Sequence, residues 1–185
     1  MENPYRQGKE SFNDIYRFYN TLKAMPAELN GVALDVGTRS YFTKYLEMSY
    51  PQLTIINTDK DIDFDVDNMP YHDQELPTIM CFEVLEHLFN PLHFLLECLR
   101  ILRDNGMMIM TTPSGLYPKW MQSNHVHFHE IDLKRLLILI DRAGFKVKKH
   151  QYIRRPMRWF WNRPGIRPLL RCLIPAFHYV EMEKG

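Results

Sequence analysis

Asp35-Val36-Gly37 closes a short apolar run, Val32-Ala33-Leu34-Asp35-Val36. A glycine just past an acidic strand end permits a tight turn and lets backbone approach a ligand closely. A second run, Leu53-Thr54-Ile55-Ile56, leads into Asn57-Thr58-Asp59. A carboxylate at such a strand end can accept both hydroxyls of a ribose. Histidines recur further along, at His87, His125, His127 and His129. Imidazole titrates near neutral pH and can act as a base. Positions 125, 127 and 129 share one side if that segment is extended. The alternating acids Asp59, Asp61, Asp63, Asp65 and Asp67 imitate a calcium loop. They lack its central glycine and terminal glutamate, which argues against a calcium site.

The elements that position these residues follow from periodicity. Phe12, Ile15, Tyr16, Tyr19 and Leu22 predict a helix over residues 10–25, ended by Pro26. Strands are expected at 32–36, 53–56, 78–82, 107–110 and 145–153, with a last one at 179–182. Between them fall helices at 40–49, from Pro91 through Leu102, and at 131–143. Asn90 is a good N-cap and Pro91 suits the first helical position. Asn105-Gly106 reads as that helix's stop signal. Alternating strands and helices imply an α/β fold, a mostly parallel sheet with helices on both faces. In such sheets ligands sit beyond the carboxyl ends of the strands, where strand order reverses.

Taken in order, LDVG (34–37), TD (58–59), FDVDNMP (64–70), CFEVLEHLFNP (81–91), LRDNGMMIMTTP (102–113) and RAGFKV (142–147) form a set. That set resembles the class I S-adenosylmethionine-dependent methyltransferases, of the small-molecule, ubiquinone-biosynthesis-like branch. The likeness runs from about residue 30 to 150 with its spacing kept. It implies a Rossmann-like fold and S-adenosylmethionine as cofactor. It also implies roles. Asp35 and Gly37 would border the methionine part of the cofactor, Asp59 would bind the ribose, and Asp65 would take the adenine amino group. Val66 would meet the adenine ring, and Phe82 and Glu83 would border the methionine moiety. The sequence departs from the family at Arg39 and Tyr41, where the loop usually carries glycines. Large side chains there could fill the cofactor space; alternatively Arg39 could turn outward or pair with the cofactor carboxylate.

The sulfonium is already electrophilic, so an enzyme of this kind mainly aligns the acceptor with the methyl group. An oxygen acceptor also needs a base, for which His87 and His127 are the candidates. Glu83, Glu86, His87 and a histidine near 127 further resemble the metal-binding set of the small-RNA 3′-terminal 2′-O-methyltransferases, where two carboxylates and two imidazoles could hold a divalent ion. EVLEHL also occurs in the metal-free small-molecule branch, so no metal ligand is assigned. Three function classes follow: methyl transfer to a small-molecule or lipid-linked acceptor, sugars included; a non-catalytic methyltransferase-like binding module; and a metal-assisted RNA 2′-O-methyltransferase.

The chain has 185 residues, 45% hydrophobic and 24% charged, enough for one domain with a core. Cys81, Cys98 and Cys172 give neither a disulfide framework nor zinc spacing, which favours a reducing compartment. The opening MENPYRQGKESF lacks a signal peptide's apolar stretch, and no run reaches the ~18 apolar residues of a membrane span. A cytoplasmic location is expected. The net charge of +1 conceals an asymmetry: from Arg142 to Val180 there are ten Lys and Arg and no Asp or Glu. Residues 154–177 interleave six of those arginines with Trp159, Phe160, Trp161 and aliphatics. This segment is expected beside the substrate opening, as a core-facing subdomain or as a peripheral membrane contact. A nucleic-acid partner is not expected. The organisation read from the chain is an N-terminal helical extension (1–29), a methyltransferase core (30–153) and a basic aromatic segment with the last strand (154–185).

Overall fold

The structure is a computed structural model that describes residues 12–37, 39–58, 61–116, 127–155 and 165–185. Six strands form one sheet: β1 (Gly31–Asp35), β2 (Leu53–Asn57), β3 (Leu76–Phe82), β4 (Leu102–Pro113), β5 (Phe145–Ile153) and β6 (Phe177–Lys184). Their spatial order is β2-β1-β3-β4-β6-β5. The first four pair in parallel, and β6 runs antiparallel to both β4 and β5. The helices are α1 (Phe12–Ala24), α2 (Tyr41–Ser49), α3 (Pro91–Ile101), α4 (Leu133–Arg142) and α5 (Ile166–Leu173).

The central strands are buried on both faces, so their apolar residues run on without a polar alternation. Neighbouring residues nevertheless serve opposite sides. Leu34, Ile79, Met108, Met110 and Val180 join a core with Phe94, Leu95, Cys98 and Ile101 of α3 and Leu136 and Ile140 of α4. Ala33, Met80, Ile109 and Tyr179 join a second core with Phe42 and Leu46 of α2 and Ala24 of α1. Fully buried Leu95 or Ile101 cut to alanine would cost about 2–5 kcal/mol.

The helix starts are capped as their sequences suggest. Asn90 accepts from the His93 amide at 3.3 Å with Pro91 in the first turn, and Asp132 accepts from Arg135 N at 3.1 Å. Ser40 and Thr43 form a reciprocal capping box at the start of α2.

One expected boundary is corrected. α3 ends at Ile101, and Leu102 already pairs with Leu76 of β3. The register then jumps from Leu76↔Leu102 to Thr78↔Met107, so Asn105-Gly106 belongs to an excursion within β4 and does not stop the helix. Glycine is needed there for close approach: a Cβ at Gly106 would stand 2.7 Å from Leu102 Cδ1 and 2.9 Å from Pro77 O. β6, far along the chain, lies inside the sheet between β4 and β5, so residues 177–184 share the core of the preceding strands.

Candidate active site

Strand order reverses at β1, whose neighbours are β2 and β3, and the candidate residues gather at the carboxyl ends of β1 and β3. Val36 N donates to Met80 O at 2.8 Å, which carries the β1–β3 pairing one residue past β1. Gly37 follows with φ +102, in the region that favours glycine, and a Cβ built on it meets nothing among the described residues within 4 Å. Its amide donates to Thr58 Oγ1 at 2.8 Å, which ties the turn after β1 to the end of β2.

Asp35 is buried at the bottom of this turn. Its Oδ2 accepts from the Thr43 hydroxyl at 2.7 Å and from Asn57 Nδ2 at 3.2 Å. Burial pushes its carboxyl from 3.8 up to about 6; the two hydrogen bonds and the Arg39 charge oppose the rise without cancelling it. Arg39 and Tyr41 do not fill the turn. Arg39 Nη2 reaches outward to Glu47 Oε2 at 2.6 Å, and Tyr41 is 47% exposed with Lys44 Nζ 5.1 Å from its ring centroid. Neither residue has positive φ, so the absent glycines are not required by the backbone this loop adopts.

Glu83 stands one residue past β3 with φ +59, an uncommon conformation for a side-chain-bearing residue. Its amide donates to Thr111 O at 3.0 Å. Its carboxylate accepts from the Thr111 hydroxyl at 3.0 Å and pairs with Arg17 Nη1 at 3.3 Å. Burial raises the Glu83 pKa, and Arg17 and Thr111 partly offset it. Phe82 is half-buried, edge-on to Phe42 at 4.8 Å, and Phe42 stacks on Phe18 at 4.5 Å. Through Arg17 and Phe18, α1 is fastened over the end of β3.

Asp65 and Val66 lie in the turn-rich stretch before β3. Asp65 Oδ1 accepts from Asn90 N at 2.6 Å, which sets it against the start of α3. Val66 is 70% exposed. Asp59 and His125 lie outside the described residues.

His87 closes a single 3-10 turn, Leu85–His87, and His127 comes from the chain that leads to α4. Their rings meet edge to face with centroids 4.9 Å apart. His127 Nδ1 is 2.9 Å from Glu130 Oε1. The carbonyl of Glu86 accepts from Phe128 N at 2.7 Å and His129 N at 3.2 Å, which pins the two segments together. Glu86 itself is fully buried; its Oε2 accepts from the Thr112 hydroxyl at 3.3 Å and its Oε1 has no hydrogen-bond partner among the described residues. Burial first, then the charge of Glu83, holds its pKa well above the ordinary carboxylate range.

Of the residues singled out from the sequence, Asp35, Gly37, Phe82 and Glu83 converge at one edge, with His87 and His127 together nearby. Thr43, Asn57, Thr58, Arg17 and Glu130 were missed as partners. Nothing in the local spacing marks Arg17, Thr43, Asn57 or Thr58, whose partners stand 8 to 66 residues away, whereas Glu130 stands three residues from His127. Thr111 and Thr112 were read only as the strand's end, though each holds a glutamate.

A six-stranded sheet of this order, with a glycine turn and a buried acid at the reversal point, defines a Rossmann-like class I methyltransferase fold. Residues 32–110, a little under half of the chain, match the family described as methyltransferase domain. A probable S-adenosylmethionine-dependent methyltransferase of Mycolicibacterium smegmatis is 30% identical over 83 residues, 43% of this chain and 32% of that protein. The chain thus spans about a third of the length of the curated relatives it matches, with 32% and 36% covered. In fold, the chain is similar to a structure of the Haloferax volcanii Trm112 methyltransferase activator in complex with a methyltransferase. The TM-score is 0.70 at 16% identity, over 91% of this chain and 89% of that one. The cyclase SpnF shares the fold at TM-score 0.60 and 13% identity, over 99% of this chain and 84% of that one. Such likeness fixes the architecture and leaves the chemistry to the site.

Proposed function

We propose that this chain binds S-adenosylmethionine at the β1–β3 edge and transfers its methyl group to a small-molecule or lipid-linked acceptor. The observation that carries this reading is the conformation of the loop after β1: Gly37 keeps positive φ with open space at its Cβ position, while Arg39 and Tyr41 point away. A blocked loop would favour the non-catalytic module instead. In this reading Asp35 and Glu83 border the methionine end, and Asp65 and Val66 border the adenine. Phe82 supports that end from below, and Asp59 takes the ribose.

The reaction forms a bond from the acceptor atom to the methyl carbon and breaks the methyl–sulfur bond. The sulfur leaves as a neutral thioether. The protein's part is alignment and exclusion of water. An oxygen acceptor gives its proton to the His87–His127 pair, whose rings meet edge to face and each bring a nitrogen within 4.8 Å of a Glu86 carboxylate oxygen. Calorimetric titration with S-adenosylmethionine and S-adenosylhomocysteine tests the reading. Saturable binding at one site is expected; absence of binding would leave the module reading.

The basic segment supports a second, compatible feature, peripheral contact with an anionic membrane on the acceptor side. On α5, Ile166 is 78% and Leu173 52% exposed, and residues 156–164, with Trp159 and Trp161, lie outside the described residues. No helix among the described residues is long and apolar enough to cross a membrane.

A further inference from the structure

We propose that Glu86, His87 and His127 form a binding site for one divalent transition-metal ion of the zinc class. Each offers one ligand atom, and these atoms all lie within 4.8 Å of one another. The set differs from the one that the sequence suggests. Glu83 is not a member, since its carboxylate is engaged by Thr111 and Arg17.

A second observation points to a ligand independently. Glu86 is 0% exposed and its Oε1 has no hydrogen-bond partner among the described residues. A buried carboxylate oxygen left in that state is costly unless an ion or a donor meets it. The neighbouring oxygen is held by Thr112, so the side chain is anchored with one oxygen to spare.

His127 carries the outer support that metal-ligating imidazoles need. Glu130 Oε1 lies 2.9 Å from His127 Nδ1. An imidazole that gives one ring N–H to a carboxylate has its tautomer and orientation fixed, and its other nitrogen becomes the better ligand. The segment bearing His127 is pinned to the turn bearing Glu86 and His87 by the two amides that share Glu86 O. The three ligands therefore come from two pieces of chain locked to each other by backbone.

Two imidazoles and one carboxylate suit zinc and its first-row neighbours better than calcium or magnesium, which favour all-oxygen sets. Ligand atoms about 2.0–2.2 Å from such an ion stand closer together than the outer limit seen here, so binding draws the rings inward. Three protein ligands leave a fourth position open to water or a substrate oxygen. With the ion bound, the two imidazoles are ligands and no longer bases, and an acceptor oxygen at the open position is activated by the ion. Only this last consequence rests on the function proposed above.

The test uses the full chain, stripped with chelator and dialysed against Co2+ or Zn2+, with metal content and the Co2+ visible spectrum as readouts. One equivalent is expected, with His87→Ala and His127→Ala each losing it. Glu130→Gln, which keeps all three ligands, should weaken metal by about 10–100-fold. His72→Ala, at an exposed histidine remote in sequence from the cluster, should retain the metal. Thermal melting and S-adenosylhomocysteine titration on each metal-free variant report folding and the cofactor site separately. Should a ligand variant fail to fold, Glu130→Gln decides. No stoichiometric Co2+ or Zn2+ binding by the wild type, or unchanged binding in the folded Glu130→Gln or ligand variants, overturns the site. Failure of cofactor binding alone overturns the proposed function and leaves the metal site standing.

Discussion

The Thr43 hydroxyl donates to Asp35 Oδ2 at 2.7 Å, at a carboxylate that the protein has nearly sealed from water. The bond joins the first turn of α2 to the end of β1. It sets the floor of the turn that Gly37 completes, while burial, which this bond only partly offsets, leaves Asp35 holding its proton longer than an exposed aspartate would.

A pH dependence follows from that shift. The folded pKa is about 6 against 3.8 unfolded, so between those values the folded state binds more protons than the unfolded state. Stability therefore falls as pH rises through this window, by about 3 kcal/mol from this group, and levels off above it. Asp35→Asn should remove this component, seen as a flatter difference between urea-unfolding free energies at pH 4 and pH 7. An unaltered slope would show that Asp35 titrates normally. Cationic S-adenosylmethionine near Asp35 favours the carboxylate, so cofactor affinity should weaken as pH drops below about 6.

The outward loop makes a prediction about its two unusual side chains. Arg39–Glu47 is an exposed pair worth about 0–1 kcal/mol, and Arg39→Gly should change cofactor affinity modestly. Gly37→Ala should be worse, because φ +102 costs a side-chain-bearing residue roughly 1–2 kcal/mol and its methyl would enter the open space. Calorimetry on both variants checks this. If the wild type binds no cofactor while Arg39→Gly/Tyr41→Gly binds well, the loop is a block and the module reading holds.

Asp59→Ala is expected to weaken S-adenosylhomocysteine by roughly 1.5–3 kcal/mol, the range for hydrogen bonds to a charged group. Competition against a fluorescent cofactor analogue would measure it. Equal affinity of variant and wild type would remove Asp59 from the ribose site.

The basic segment should bind anionic vesicles at low salt and release them as salt rises, since each Lys or Arg near such a surface contributes about 1 kcal/mol. Replacing the exposed Ile166 and Leu173 by serine should weaken co-sedimentation further. No binding to phosphatidylserine vesicles at low salt would end the membrane reading.

Much of the frame was legible because its signals are local. The short, mainly apolar runs at β1, β2 and β3 and the Asn90-Pro91 start of α3 depend on neighbours a few positions away. Gly37 could be singled out for the same reason: positive φ is a property of one residue, and glycine meets it at least cost.

Tertiary structure decided the rest. Whether Arg39 blocks the loop depended on where Glu47 stands, one helix face away. The place of β6 between β4 and β5 depended on pairings made at long range, which no local propensity encodes. Glu86 and His127 are far apart in sequence and meet because two amides close on one carbonyl; Arg17 reaches Glu83 only because α1 packs on α2 through Phe18 and Phe42. The sequence by itself determined which residue types were available at the strand ends and which strands would be buried. Only the packed chain determined which of those side chains share a site, because that depends on contacts between elements whose sequence separation leaves no periodic trace.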